Sequence, residues 1–266
     1  MLLLERTLIT MTACEDDLIF HAAKLVREAR RAVAFTGAGI STASGIPDFR
    51  SPHSGLWQDV DPLSVASIFS FRQNPEAFYK WIYPLVCLTI NAQPNAAHFA
   101  LAEMEQRGYL KTIITQNIDM LHERAGSKTV YELHGHMREV TCVHCFTVYP
   151  ARAVIERFLD DRLVPHCAHC GGVLKPNVIL FGEQLLATEL LGARNAASKT
   201  DLMIVVGSSL EVAPASQLPA LARRNGARLI IVNLDPTYAD SEADIVIRAD
   251  AAQVLPQIMR CAETAL

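Results

Sequence analysis

A chain of 266 residues, half of them hydrophobic, can bury one large α/β core and one small satellite module. Its formal net charge of −4 argues against a protein built to grip nucleic acid, and the densest basic run, Arg27, Arg30 and Arg31, reads as a solvated helix end. No apolar run reaches the roughly 18 residues that span a bilayer, and the opening Met1-Leu2-Leu3-Leu4 lacks a signal-peptide core, so the expectation is a cytoplasmic protein without membrane or direct nucleic-acid partners.

In chain order, Leu18, Ala22, Leu25 and Ala29 recur at the helical period and predict a helix over 17–30. A short apolar run at 32–35 predicts the first strand, which feeds the glycine turn Thr36-Gly37-Ala38-Gly39-Ile40-Ser41-Thr42. Residues 43–94 then hold six of the thirteen prolines and both tryptophans, with helical pieces over 62–71 and 75–84, and read as an insertion lining a cleft. Asn95 after Pro94 and the later Gly108 bracket a helix over 95–107. Strands are predicted at 111–115, 129–133, 202–206, 229–232 and 245–247, and helices at 151–159, 186–198, 214–225 and 251–264. Such alternation makes the fold class α/β, a Rossmann-like doubly wound parallel sheet with ligands beyond the carboxyl ends of its strands. The expected division is a nucleotide-binding unit of residues 15–42, 95–136 and 181–266, the helical insertion 43–94, and a zinc-ribbon module at 137–180.

That module has too few apolar residues for a core of its own, so a metal must staple it. Cys142/Cys145 and Cys167/Cys170 are two Cys-x-x-Cys knuckles 21 residues apart, able to place four thiolates at tetrahedral corners. A closed four-cysteine set favours one structural zinc over a redox pair or an iron–sulfur cluster. His144, His166 and His169 read as surface histidines of the ribbon, and the single Cys14, Cys87 and Cys261 as small buried hydrophobes.

The glycine turn lets backbone approach a pyrophosphate, although Thr42 stands where a third glycine is usual and no acidic residue ends the second strand. A ligand-free βα turn is the lesser, rival reading of that motif taken alone. Gly207-Ser208-Ser209 and Asn233-Leu234-Asp235 follow two further strands, at positions where a doubly wound sheet contacts a nucleotide. Gln116-Asn117-Ile118-Asp119 reads as the floor of the same site, and His134, closing the strand at 129–133, has the near-neutral titration that suits a general base.

With these motifs in hand, the chain resembles the sirtuins, NAD-dependent protein-lysine deacylases. The likeness lies in Gly37-Ala38-Gly39-Ile40-Ser41, Gly45-Ile46-Pro47-Asp48-Phe49-Arg50, Thr115-Gln116-Asn117-Ile118-Asp119, Leu133-His134-Gly135, the paired cysteines, Phe181-Gly182-Glu183, Gly207-Ser208-Ser209 and Asn233-Leu234-Asp235, in family order. The resemblance implies that NAD and an acetyl-lysine peptide meet in a cleft, and that nicotinamide, free lysine and O-acetyl-ADP-ribose leave it. The acyl oxygen is then the nucleophile. It implies catalytic roles for His134, as base on a ribose hydroxyl, and for Asn117, which with Gln116 orients ribose and water. Asp119 and Ile118 would hold the carboxamide, Phe49 would screen the reacting carbon, and Asp48 with Arg50 would organise the cofactor loop. Gly37, Ala38, Gly39, Thr42, Gly207, Ser208, Ser209, Asn233, Asp235 and Asp250 complete the implied NAD contacts. Ile179, Phe181, Gly182, Glu183, Glu211 and Val212 would clamp the peptide as an added strand.

Sirtuins that prefer acidic acyl groups carry a Tyr-x-x-Arg pair; here Tyr79 is followed by Ile82, which predicts neutral acyl groups, acetyl first. A mono-ADP-ribosyltransferase using the same NAD site is the alternative activity, and a non-catalytic nucleotide sensor would require degraded motifs. The oligomeric state is left open, a monomer being compatible with the sequence.

Overall fold

The computed structural model describes residues 13–49, 55, 56 and 60–264; Arg50, expected in the cofactor loop, lies outside them. In chain order the strands are β1 (Ala32–Thr36), β2 (Leu110–Thr115), β3 (Val130–Glu132), β4 (Gly135–Cys142), β5 (Val148–Pro150), β6 (Leu174–Val178), β7 (Leu202–Val206), β8 (Arg228–Val232) and β9 (Ile245–Ile247). The helices are α1 (Ala13–Glu28), α2 (Pro62–Val65), α3 (Ile68–Gln73), α4 (Pro75–Asn91), α5 (Ala96–Gln106), α6 (Leu121–Ala125), α7 (Ala151–Asp161), α8 (Ala187–Lys199), α9 (Leu218–Arg224) and α10 (Ala251–Thr264).

Every residue of β1 and β7, and the last four of β8, is buried. Strands so uniformly apolar must be covered on both faces, which is the condition for a parallel sheet. The main sheet is parallel throughout, in the order β3-β2-β1-β7-β8-β9. Successive side chains alternate between its faces: Ile113 and Ile204 join Val26, Leu101 and Leu255 of α1, α5 and α10, while Ile114 and Met203 join Ala197 and Leu218 from the α8–α9 side. Chain order reverses between β1 and β7, so the loops leaving their carboxyl ends diverge and open a crevice. Register places Thr36 opposite Thr115 on one side and Val206 on the other, which brings the following turns to one level.

Asn95 caps α5 as expected, accepting from the Ala97 amide, and His98 completes a capping box by accepting from the Asn95 amide. The insertion differs from expectation in that α4 does not end near Pro84 but continues to Asn91. Phe78, Tyr79, Ile82, Leu85 and Val86 are buried along it, and that packing outweighs the roughly 3 kcal/mol cost of an internal proline. The segment expected as a helix over 214–225 begins as a 3-10 turn, Ala215–Gln217, before α9. The short α6 was not expected.

The stretch 137–180 contains an antiparallel sheet, β5-β4-β6, that the sequence pattern concealed. Its own cluster is as small as composition predicts, with Val140, Ala151 and Leu174 beside Cys142 and Cys167. A larger cluster ties it to the insertion: Phe71, Phe78, Tyr79 and Leu85 pack with Met137, Phe158, Val178 and Leu180. Cys87 and Cys261 are only half-buried, and the side chain of Cys14 lies outside the described residues. Among the described residues no helix is long and apolar enough to cross a membrane.

Candidate active site

The crevice beyond the strand ends is a cleft of about 1100 Å³. Every site residue named from the sequence, apart from Arg50 and the four cysteines, lines it. Its glycine wall is built by close backbone approach. The amides of Gly37 and Gly39 donate to the carbonyls of Val206 (3.0 Å) and Gly207 (2.8 Å). A methyl placed on Gly37 would sit 2.7 Å from the Gly207 oxygen, and one on Gly39 2.8 Å from the Gly207 Cα, so neither turn tolerates a side chain. Gly207 itself has φ +57°.

The floor is the turn after β2. Gln116 donates from Nε2 to Ser208 Oγ (2.8 Å), joining the two halves of the sheet across the crevice. Asn117 donates from Nδ2 to Gly37 O and to Ser41 Oγ, both at 3.1 Å. Ser41 in turn donates to Asp119 (2.7 Å), whose other oxygen accepts from the Leu121 amide (2.9 Å). Burial pushes the Asp119 carboxyl upward, while those two bonds and Asn117 pull it back.

His134 follows β3 with Nδ1 2.9 Å from Gln116 O. A carbonyl can only accept, so Nδ1 carries the proton and Nε2 keeps its lone pair. Burial lowers the ring's pKa, opposed by the Gln116 bond, and keeps the imidazole neutral. The geometry therefore provides a base whose basic atom is defined.

Several residues expected from the sequence as ligand contacts form hydrogen bonds within the fold. Asp250 accepts from the Ala252 amide and caps α10, Thr42 donates to Gly39 O, and Asn233 donates to Asp235 O. Glu183 accepts from the Leu180 amide (2.8 Å) and from Lys175 Nζ (3.0 Å), while Lys175 also donates to the carbonyls of Pro176 and Val178. The Ile179 and Phe181 amides are held by His134 O and Ala66 O. Much of the 179–181 backbone is thus engaged inside the protein. Ile82 shares an apolar wall of the cleft on α4 with Phe78, Trp81 and Leu85, three residues not expected there from the sequence; the i, i+3, i+4, i+7 spacing of the four was the available signal. Tyr79 turns away from it and donates to Leu174 O (2.6 Å).

Away from the cleft, the sulfurs of Cys142, Cys145, Cys167 and Cys170 all lie within 4.8 Å of one another, with Cys142–Cys170 at 3.5 Å and Cys145–Cys167 at 3.6 Å. Tetrahedral zinc–thiolate bonds of about 2.3 Å require edges of roughly 3.8 Å, so the set fits zinc. Amides of His144, Cys145 and Gly172 point at the sulfurs, as support for thiolate charge requires. His144, His166 and His169 are exposed and stand outside the cluster.

A glycine-walled cleft at a strand-order reversal, holding a neutral imidazole over a polar turn and set apart from a closed thiolate cluster, belongs to an enzyme that works on a nucleotide cofactor. The Sir2 family profile matches residues 37–214. The NAD-dependent protein deacylase 2 of Archaeoglobus fulgidus is 46% identical over 92% of this chain and 96% of its own. A structure described as showing the mechanism and regulation of Sir2 enzymes superposes with a TM-score of 0.88 at 45% identity, covering 93% and 98% of the two chains. Another, of Sir2 with a deacetylated p53 peptide and 3'-O-acetyl ADP ribose, does so at 0.86 and 41%, covering 90% and 96%. The chain belongs to the Sir2 family.

Proposed function

We propose that this protein is an NAD-dependent protein-lysine deacetylase, releasing nicotinamide, free lysine and O-acetyl-ADP-ribose. The observation that carries this reading is the fixed tautomer of His134, an uncharged base inside a cleft whose glycine walls fit a dinucleotide. The relatives, one named as an NAD-dependent deacylase and one holding a deacetylated peptide with acetyl ADP ribose, support it.

When bound, NAD supplies an electrophilic ribose carbon with a neutral leaving group, and an ADP-ribose acceptor for the acyl group. Gly37, Ala38, Gly39, Thr42, Gly207, Ser208 and Ser209 hold its phosphates; Asn233, Asp235 and Asp250 lie where the far nucleoside fits. Gln116 and Asn117 orient the reacting ribose and Ile118 with Asp119 the carboxamide, while Phe49 screens the reacting carbon from water and Asp48 organises the cofactor loop. His134 accepts a ribose hydroxyl proton at Nε2. The zinc is structural and has no part in these steps.

The peptide lies between Gly182 and Glu183 on one side and Glu211 and Val212 on the other, held mainly through backbone hydrogen bonds. Ile179 and Phe181 flank it, their own amides already engaged. Its acyl chain meets the apolar wall of Phe78, Trp81, Ile82 and Leu85, and among the described residues no arginine or lysine lines the cleft. A carboxylate on the acyl chain would be buried without a partner, which favours acetyl over succinyl. The protein acts as a cytoplasmic enzyme.

Mass spectrometry of the products from NAD with matched acetyl- and succinyl-lysine peptides tests this reading. O-acetyl-ADP-ribose with faster acetyl turnover is expected. ADP-ribosylated protein without the acyl ester would replace the deacetylase by the transferase, and faster succinyl release would overturn the acyl preference.

A further inference from the structure

Beneath the floor of the cleft, two histidines that no step above uses lie side by side. His98 on α5 and His122 on α6 are 0% and 1% exposed, with ring centroids 5.0 Å apart. Each ring has one nitrogen satisfied and one without a partner: Nε2 of His98 and Nδ1 of His122. Of the few buried side-chain polar atoms without a partner among the described residues, two lie on these adjacent rings, which calls for a physical account.

The partners that are present decide the protonation of both rings. His98 Nδ1 faces the Asn95 amide at 3.3 Å, and an amide can only donate, so a neutral His98 carries its proton on Nε2. His122 Nε2 is 2.9 Å from Thr36 Oγ1, which is itself 2.9 Å from Thr115 Oγ1. If Thr36 donated to His122, the proton of His122 would sit on Nδ1, and two buried N–H groups would confront each other. With Thr36 donating to Thr115, His122 donates from Nε2 and its bare Nδ1 can accept from His98 Nε2–H. Only that ordering makes the two orphaned atoms complementary, through a slight ring rotation or one bridging water.

We propose that His98 and His122 are a hydrogen-bond-coupled pair of neutral imidazoles, both protonated on Nε2, that positions Asn117 from below the cleft. The resulting chain runs in one direction, from the Asn95 amide through His98, His122 and Thr36 to Thr115 Oγ1. There it meets the Asn117 amide, 3.1 Å away. At its other end Asn95 donates from Nδ2 to Ile40 O (2.8 Å) and Ser44 Oγ (2.9 Å) in the glycine turn that leads into the cofactor loop. The pair thus couples the segment above the phosphates to the ribose floor. Burial agrees with neutral rings: it lowers His98 to about 4 and His122 well below the usual imidazole range, His98 adding to the latter.

The catalytic half of this inference rests on the role of Asn117 given above; the tautomers do not. In the zinc-loaded full chain labelled with [¹⁵N]histidine, two of the nine rings should show the neutral Nε2–H pattern, unchanged across roughly pH 6 to 8. His98→Gln and His122→Gln identify the two signals by their loss. An Nδ1–H form of either ring, or titration of either in that range, overturns the ordering. Thr36→Val keeps shape and strand propensity but cuts the chain, whereas Thr36→Ser keeps the hydroxyl. Thr36→Val should lower kcat about tenfold or more with peptide KM within about twofold, and Thr36→Ser should stay within about threefold of the parent. Unchanged kcat in Thr36→Val, with only a lower Tm, would reduce the pair to a structural element and overturn the positioning role. Absence of deacetylation by the parent chain would instead sink the proposed function and leave the tautomer result standing.

Discussion

Gly207→Ala separates close backbone approach from ordinary turn strain. At φ +57° an alanine pays roughly 1–2 kcal/mol for the left-handed conformation. The greater effect is steric. The new methyl would lie 2.5 Å from the Gly39 carbonyl carbon and nearer still to the Ile40 nitrogen, both backbone atoms that no rotamer change can move aside. Ordinary contact begins near 3.4 Å, so the turns after β1 and β7 must part by roughly 1 Å. That separation breaks the 2.8 Å Gly39-to-Gly207 bond and widens the glycine wall of the cleft. A misplacement of this size costs about 100-fold in a site that works by positioning. The expected outcome is a fall in kcat/KM for NAD of that order, weaker ADP-ribose binding by calorimetry, and a Tm lower by several degrees. Gly126→Ala is the control: its φ is +109° but no atom lies within 4 Å of the added methyl, so stability falls while turnover stays. Near-parental kcat/KM in Gly207→Ala would refute the claim that the wall depends on this approach.

Burial lowers the His134 pKa from its ordinary 6.5, against the opposing Gln116 bond, so with His134 as the proposed base the acid limb of kcat/KM against pH should lie below that value. A limb at or above it would contradict the buried, Gln116-bound tautomer. His134→Ala should lower kcat between about 10²- and 10⁴-fold, as single-turnover kinetics would show. Extracting zinc with a chelator should release one ion per chain and raise amide exchange across β4–β6 first, with activity lost because β4 begins beside His134; metal analysis with hydrogen exchange follows both. Lys175→Met removes a side chain that is 13% exposed and braces the Val178 carbonyl and Glu183, so KM for the peptide should rise several-fold while KM for NAD holds.

The parallel sheet was legible because its strands are short, mostly apolar runs, buried throughout in β1 and β7, with helical periodicity between them. The ribbon strands were hidden because β4 mixes buried and exposed positions without a clean two-residue period, and cysteine rather than valine fills part of its interior. Pro84 masked the second half of α4 because packing across the chain, which has no local signature, overrides its helix-breaking tendency. Cleft-lining positions were readable wherever a polar residue and a strand end coincided, as at Gln116, Asn117 and His134. What could not be read was division of labour. Nothing local reveals that Glu183 braces its own loop, that Asp250 caps a helix, or that His98 and His122, 24 positions apart, meet under the floor.

The cluster shared by Phe71, Phe78, Tyr79 and Leu85 with Met137, Phe158, Val178 and Leu180 sets an order of events on the ribosome. The helices of the insertion are synthesised long before most of these partners, and the apolar face of α4 is not fully covered until residues near 180 emerge. At roughly 5–20 residues per second, that face waits several seconds for the ribbon. Chaperone capture and proteolytic nicking of the nascent chain should therefore concentrate on α3 and α4. The supply of zinc, which lets the ribbon close, also governs how long they stay vulnerable.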